Sequence, residues 1–406
     1  MTNNLELLIK TLETQISKNP KNNMKRVEEA IRFFSLDFSN MKKIHVGGTN
    51  GKGSTCKYLT EILTLQGYKV GTFVSPYLKV FNERILLNNN LISDEHLEKY
   101  IKIVLDYNES RDEKMSFFEL LTVLAFKYFF DQQVEIMIIE VGIGGKLDVT
   151  NTINYDLSLL TNIGTDHLDR LGPTELDVLY NKLGILKPNG VMLTTIDSKH
   201  HNRALEYANL RNAQIFFIDK PIKLNDNPLT FTFNENVYQL QMIGEYQLLN
   251  AALSISAINY LCPNISYEII KKGLYNAKWP GRLELINKQP DIYIDAAHNK
   301  EAAIALRESI EILFGNKKLI SIISLLKGKD YHSFINEVSK FSKKIILTSF
   351  PDPRLADLNQ IINDFPNVEL VTNFNEAIQI INNPCEVYLI TGSIHFLGYF
   401  LNNFKK

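Results

Sequence analysis

From about residue 40 to residue 215, short apolar runs alternate with longer stretches whose apolar residues recur every three or four positions, so strands and helices follow one another in turn. Lys69 to Val74, Val134 to Ile139 and Leu157 to Thr161 are the clearest strands. Met24, Val27, Ala30, Ile31 and Phe34 mark a helix over about 24–36 that precedes the first strand. This alternation predicts an α/β fold with a doubly wound, mainly parallel sheet. The period then changes. Leu229 to Phe233 and Val237 to Gln241 flank Asn234-Glu235-Asn236 and read as a β-hairpin, followed by a helix with Leu248, Leu249, Ala252 and Ile255 on one face. Lys278 to Pro290 holds two prolines and a glycine and reads as a boundary. Beyond it, Ile292 to Ile294, Leu319 to Ser324, Lys344 to Thr348, Val368 to Thr372 and Val387 to Thr391 restart the alternation. The expected domains are 1–284 and a smaller Rossmann-like α/β domain over 291–406.

The chemistry begins at the first strand-to-helix junction, His45-Val46-Gly47-Gly48-Thr49-Asn50-Gly51-Lys52-Gly53-Ser54-Thr55. Glycines there let backbone N–H groups approach an anion, and the helix that follows points its positive end at the same place. Gly48 to Ser54 is therefore a phosphate-binding loop, with Lys52 its charge. The residue after that lysine is Gly53, whereas an ordinary phosphate loop has a hydroxyl there to hold Mg²⁺. Metal ligands must then come from other strand ends, where Ser75, Glu140 and the run Gly164-Thr165-Asp166-His167 stand. In a parallel sheet such ends meet at one edge.

Taken in order, the run from His45, Ser75-Pro76, Phe81-Asn82-Glu83-Arg84-Ile85, Phe117-Phe118-Glu119, Glu140 to Asp148, Asp166-His167, Trp279-Pro280-Gly281-Arg282, Asp295 to Asn299 and Thr391-Gly392-Ser393 resemble folylpolyglutamate synthase and dihydrofolate synthase, within the Mur ligase superfamily. The resemblance implies a P-loop-type ATPase domain and a second α/β domain with the active site between them. It implies ATP and two Mg²⁺ ions as cofactors, and as substrates L-glutamate with dihydropteroate or a reduced folate. By the same resemblance Ser75, Glu140, His167 and Lys182 are metal ligands, Lys182 after carbamylation of its amine. Asn250, Arg282, Asp295 and His298 join the loop in holding ATP, while Lys52, His167, Lys182, Asp295 and His298 are the catalytic set. Asn181 and Leu183 depart from the usual flanks of the carbamylated lysine, and Lys146 stands where the family has arginine.

Bulk properties narrow the partners. With 44 basic and 45 acidic residues the net charge is −1, so nothing points to nucleic acid or an anionic membrane. Three scattered cysteines make no disulfide framework. No run approaches the ~18 apolar residues of a membrane span, and the start lacks a basic region followed by an apolar one. A cytoplasmic, monomeric enzyme is expected. Two other readings stand beside it: a catalytically silent nucleotide-binding protein, and a ligase of the same type with another acid substrate.

Overall fold

The computed structural model describes residues 3–166 and 168–404. Eight strands form the first sheet: β1 Lys42–Gly47, β2 Val70–Phe73, β3 Ile85–Leu87, β4 Asn90–Leu91, β5 Ile136–Glu140, β6 Leu157–Leu160, β7 Val191–Thr194 and β8 Gln214–Phe217. Their order is β4-β3-β2-β5-β1-β6-β7-β8. All neighbours are parallel except β2 with β3 and β3 with β4. Strands β2, β5 and β6 are buried on both faces, as parallel strands covered by helices on each side must be. Register aligns the chemistry. Val46 sits opposite Glu140 and Gly47 opposite Leu160, so the loop after β1, the end of β5 and the turn after β6 share one edge.

Behind that edge, helix Asn23–Phe33 is fastened to helix Phe117–Asp131 by a buried ion pair. Arg26 Nε donates to Glu119 Oε1 at 2.7 Å and Arg26 Nη2 to Glu119 Oε2 at 3.1 Å. Arg26 Nη1 also donates to the Asn19 carbonyl. Glu119 closes a capping box with Ser116 at the start of its helix, so one carboxylate both ends a helix and joins two.

A second compact unit contains residues 78–80, 221–248 and 277–406; the first contains the rest of the described chain. Three antiparallel strands, β9 Ile222–Asp226, β10 Leu229–Phe233 and β11 Asn236–Leu240, lie in the order β11-β10-β9. Asn234 and Glu235, both with positive φ (47° and 63°), make the hairpin turn. A six-stranded sheet follows: β12 Glu284–Asn287, β13 Asp291–Ile294, β14 Leu319–Ile323, β15 Ser342–Leu347, β16 Glu369–Leu370 and β17 Val387–Thr391, ordered β12-β13-β17-β14-β15-β16. Only β12 runs antiparallel to its neighbour. Ile294, Ile322, Ile346 and Ile390 from four of these strands pack with Phe396 and Phe400 of helix Ile394–Asn403 in one buried cluster. The α/β class and two-part organisation expected from the pattern are present.

Candidate active site

Gly51, with φ of 85°, is the N-cap of helix Lys52–Leu65. A side chain here would be strained and obstructed, since its Cβ would lie 2.4 Å from Asn250 Oδ1. Asn250 thus stands against the loop. Lys52 Nζ folds over its own loop and donates to the Gly48 and Thr49 carbonyls at 3.0 and 3.2 Å. Both carbonyls are thereby engaged by the ammonium, and the first turn of the helix that follows carries unpaired amides of the kind that hold anions.

Two strand ends away, the backbone N–H of Ser75 donates to Glu140 Oε2 at 3.0 Å. The bond brings together two residues that the sequence separates by 65 positions. A hydroxyl and a carboxylate are hard oxygen donors of the kind Mg²⁺ takes, and among the described residues no cluster of three or more His, Cys, Asp or Glu is placed to hold a metal. A hydroxyl and a carboxylate fit Mg²⁺, an ion that commonly takes one or two protein oxygens and keeps water and phosphate oxygens as its other ligands. Asp166 is described, but His167 lies outside the described residues.

Lys182 lies on helix Glu175–Leu183 and is buried. Its Nζ makes no hydrogen bond or ion pair among the described residues. Burial first, and then the charge of Lys52, lower its pKa to about 7; Asp166 and Asp148 act in the opposite direction. The unusual flank Asn181 has a local role: its carbonyl accepts from Lys146 N at 2.8 Å, and its side chain leaves no room for a Cβ at Gly144, which would fall 2.4 Å from Asn181 Oδ1. The Lys146 side chain itself is exposed.

Arg84, in the run Phe81 to Ile85, is not among the expected site residues. It is buried, its guanidinium lies 4.9, 5.2 and 5.4 Å from the ring centres of Tyr77, Phe81 and Phe117, and its Nε has no hydrogen-bond partner among the described residues. Burial pulls its pKa down to about 10, against the attraction of Tyr77, Glu13 and Glu140. In the second unit, Asp295 ends just past β13 with both oxygens engaged, accepting from Leu283 N and Ala297 N at 2.8 Å each. Burial raises its pKa, and Arg282 opposes that rise. His298 Nδ1 bonds the Ala296 carbonyl at 2.8 Å, which orients the ring. The first unit thus holds Lys52, Ser75, Glu140, Lys182 and Asn250; in the second, Arg282 lies just before β12, and Asp295 and His298 just after β13, with Leu283 N bonded to Asp295.

A glycine-rich loop with Lys52 at the start of a helix, on a mainly parallel sheet beside a second α/β unit, is the arrangement of a Mur-type ligase. Models of the Mur ligase middle domain and of the Mur ligase glutamate ligase domain match residues 46–258 and 281–394. The chain is 34% identical over 389 residues to dihydrofolate synthase/folylpolyglutamate synthase of Bacillus subtilis, covering 88% of this chain and 89% of that one. It therefore belongs to the dihydrofolate synthase/folylpolyglutamate synthase family of Mur ligases. Among solved structures, Escherichia coli FolC in complex with DHPP and ADP is 25% identical, with a TM-score of 0.87 over 98% of this chain and 97% of that one. A bifunctional folylpolyglutamate synthase/dihydrofolate synthase with Mn, AMPPNP and L-glutamate bound is also 25% identical, with a TM-score of 0.85 over the same shares. Among the described residues no helix is long and apolar enough to cross a membrane.

Proposed function

We propose that this chain joins L-glutamate to the carboxylate of dihydropteroate, of a reduced folate, or of both, at the expense of ATP. The observation that carries the reading is that the Lys52 loop and the Ser75–Glu140 pair share one sheet edge, with the buried amine of Lys182 near enough to Lys52 to feel its charge. A carboxylate cannot be displaced by an amine in water, because oxide is too poor a leaving group. Transfer of the γ-phosphoryl group of ATP to that carboxylate breaks the bond to the β,γ-bridging oxygen and gives ADP and an acyl phosphate. The glutamate amine then attacks the carbonyl, phosphate leaves with the C–O electron pair, and the nitrogen loses a proton to give the amide.

Lys52 and the helix behind it hold the triphosphate and stabilise charge as it moves to the bridging oxygen. Ser75 and Glu140 would hold one Mg²⁺, which spreads the charge on the phosphoryl oxygens when bound. We assign a second ion to His167 and to Lys182 as its carbamate, a role supported by the lowered pKa of a buried amine beside Lys52. In that modification the neutral amine bonds to the carbon of CO₂, one C=O pair moves to oxygen, and the nitrogen gives up a proton; a cation becomes a carboxylate-like ligand. Arg282, Asp295 and His298 are assigned to the nucleotide, and the expected domains 1–284 and 291–406 remain the working division. The buried, caged Arg84 favours an acid substrate, since an anion would neutralise its charge. We further assign the enzyme to the cytoplasm as a monomer.

The test is phosphate release by the purified protein with MgATP and L-glutamate, with dihydropteroate in one reaction and tetrahydrofolate in another, and mass spectrometry of each product. A gain of one glutamyl residue on either acid names the reaction performed. ADP binding with no gain on either acid would overturn the folate assignment.

A further inference from the structure

The turn that follows β6 is bound to the phosphate loop through Thr161, Asn162 and Gly164. Thr161 N donates to the Gly47 carbonyl at 3.0 Å, and Thr161 Oγ1 donates to the Asn50 carbonyl at 2.6 Å. Asn162 Oδ1 accepts from both Thr49 N and Asn50 N, at 3.1 and 2.9 Å, and the Asn162 carbonyl accepts from Thr49 N at 3.2 Å. Gly164 N donates to Thr49 Oγ1 at 2.9 Å. Thr161 is itself braced, its carbonyl accepting from Thr195 Oγ1 next to β7.

The direction of these bonds matters. The carbonyls of Gly47, Gly48, Thr49, Asn50 and Gly51 would each repel a phosphate oxygen, and each is engaged elsewhere, by Thr161, Lys52 or Thr55. Two loop amides, those of Thr49 and Asn50, are taken by Asn162 rather than offered to an anion. Those two amides are therefore held by the turn, while the start of the helix and the Lys52 ammonium supply donors beside them. Gly48, at φ 144°, approaches Thr161 so closely that a Cβ there would fall 1.8 Å from Thr161 Oγ1, so loop and turn interlock in shape as well as in hydrogen bonds.

We propose that Asn162, with Thr161, is a positioning residue for the transfer step: it sets the shape of the phosphate loop and fixes that loop to the segment that carries Asp166. The side-chain oxygen of Asn162 acts as a template that the two loop amides read. Thr161, Asn162 and Gly164 are tied to the loop by these bonds, and Asp166 follows two residues after the last of them. Nothing in the strand-helix pattern singles out Asn162, whose partners lie 112 and 113 residues away.

This inference rests on the nucleotide reading of the site, and direct ADP titration separates the two. The full-length protein is titrated with MgADP, and hydrogen exchange is followed by mass spectrometry across 48–51. Asn162→Ala is expected to weaken ADP by about tenfold or more and to speed exchange across 48–51, while the KM for L-glutamate stays at its wild-type value. Asn162→Asp keeps an acceptor, so exchange stays slow; it also provides the measurement if the alanine variant does not fold. Thr161→Val is expected to weaken ADP and Thr161→Ser to restore it. Unchanged ADP affinity in Asn162→Ala or Thr161→Val, exchange in Asn162→Asp faster than wild type, or an equal rise in KM for ATP and glutamate would each overturn the proposal. A wild-type protein that does not bind ADP would overturn the nucleotide reading beneath it.

Discussion

Arg26 and Lys182 are both buried cations of the first unit, yet their surroundings differ in the one respect that decides what each is for. Arg26 meets Glu119 through two parallel hydrogen bonds and spends a further donor on the Asn19 carbonyl. Lys182 has no such partner among the described residues and has its pKa drawn down to about 7. A buried charge that is fully paired stabilises a packing arrangement. One left unpaired costs stability, and it persists where chemistry uses it. Arg84 belongs with Lys182: buried, caged by aromatic rings, and with its Nε unsatisfied among the described residues.

The largest effect that would sharpen this comparison is on turnover. Lys182→Met should lower ligation about a thousandfold, because the carbamate ligand proposed for its amine would be lost at the point where charge develops. Steady-state phosphate release with both substrates saturating reads this directly. Residual activity above about a tenth of wild type would place Lys182 among ordinary buried residues and break the contrast. Arg26→Ala should do the reverse. Glu119 would be left charged and unpaired, and urea unfolding should show a loss of about 3–5 kcal/mol. Turnover of the folded fraction, measured below its transition, should be close to wild type. An apolar pair at the two positions, Arg26→Met with Glu119→Leu, should recover most of that loss.

The third effect is smaller and depends on pH. Lys182 has a folded-state pKa of about 7 against 10.5 for a free lysine, so between those values the unfolded chain binds more protons than the folded one. Stability from this group therefore rises with pH across that window, and below pH 7 the cost of burying the cation is present in full. In bicarbonate-free buffer, Lys182→Met should be more stable than wild type by on the order of 2–4 kcal/mol near pH 6.5, with the difference shrinking toward pH 10. Urea midpoints of the two proteins at pH 6.5, 8 and 9.5 measure the trend. A constant difference would mean that the amine is not held neutral by the fold.

The strand-helix rhythm, the hairpin at Asn234–Glu235 and the loop from Gly48 to Ser54 were all legible because each is written within a few consecutive residues. Glu140 was legible for the same reason, standing at the end of an apolar strand. Strands β3 and β4 were not read: they are three and two residues long, too short for alternation to show, and only Asn88-Asn89 at their turn marks them. Glu119 was quoted as part of a family motif, but its partner Arg26 lies 93 residues earlier, and no local pattern reveals that the motif's acid is a structural clasp. Asn162 escaped for the same reason. Lys182 drew attention only through the resemblance; its burial and its neighbour Lys52 are facts of tertiary structure.

The smallest effect concerns Lys146, where the family's arginine is replaced. The comparison of paired and unpaired charges applies to buried groups, and Lys146 lies outside it. Its backbone N–H is fixed by the Asn181 carbonyl at 2.8 Å, so the chain path depends on the main chain. Its side chain is exposed, and there a solvated cation of either type interacts weakly. Lys146→Arg should accordingly change kcat/KM for the acid substrate by less than about twofold, with a salt dependence like that of wild type. A rise of tenfold or more would show that this position grips an anion through the planar fork that lysine lacks. In that case exposure in the unliganded chain would be a poor guide to engagement, and the distinction drawn from Arg26 and Lys182 would hold only for residues buried before substrate arrives.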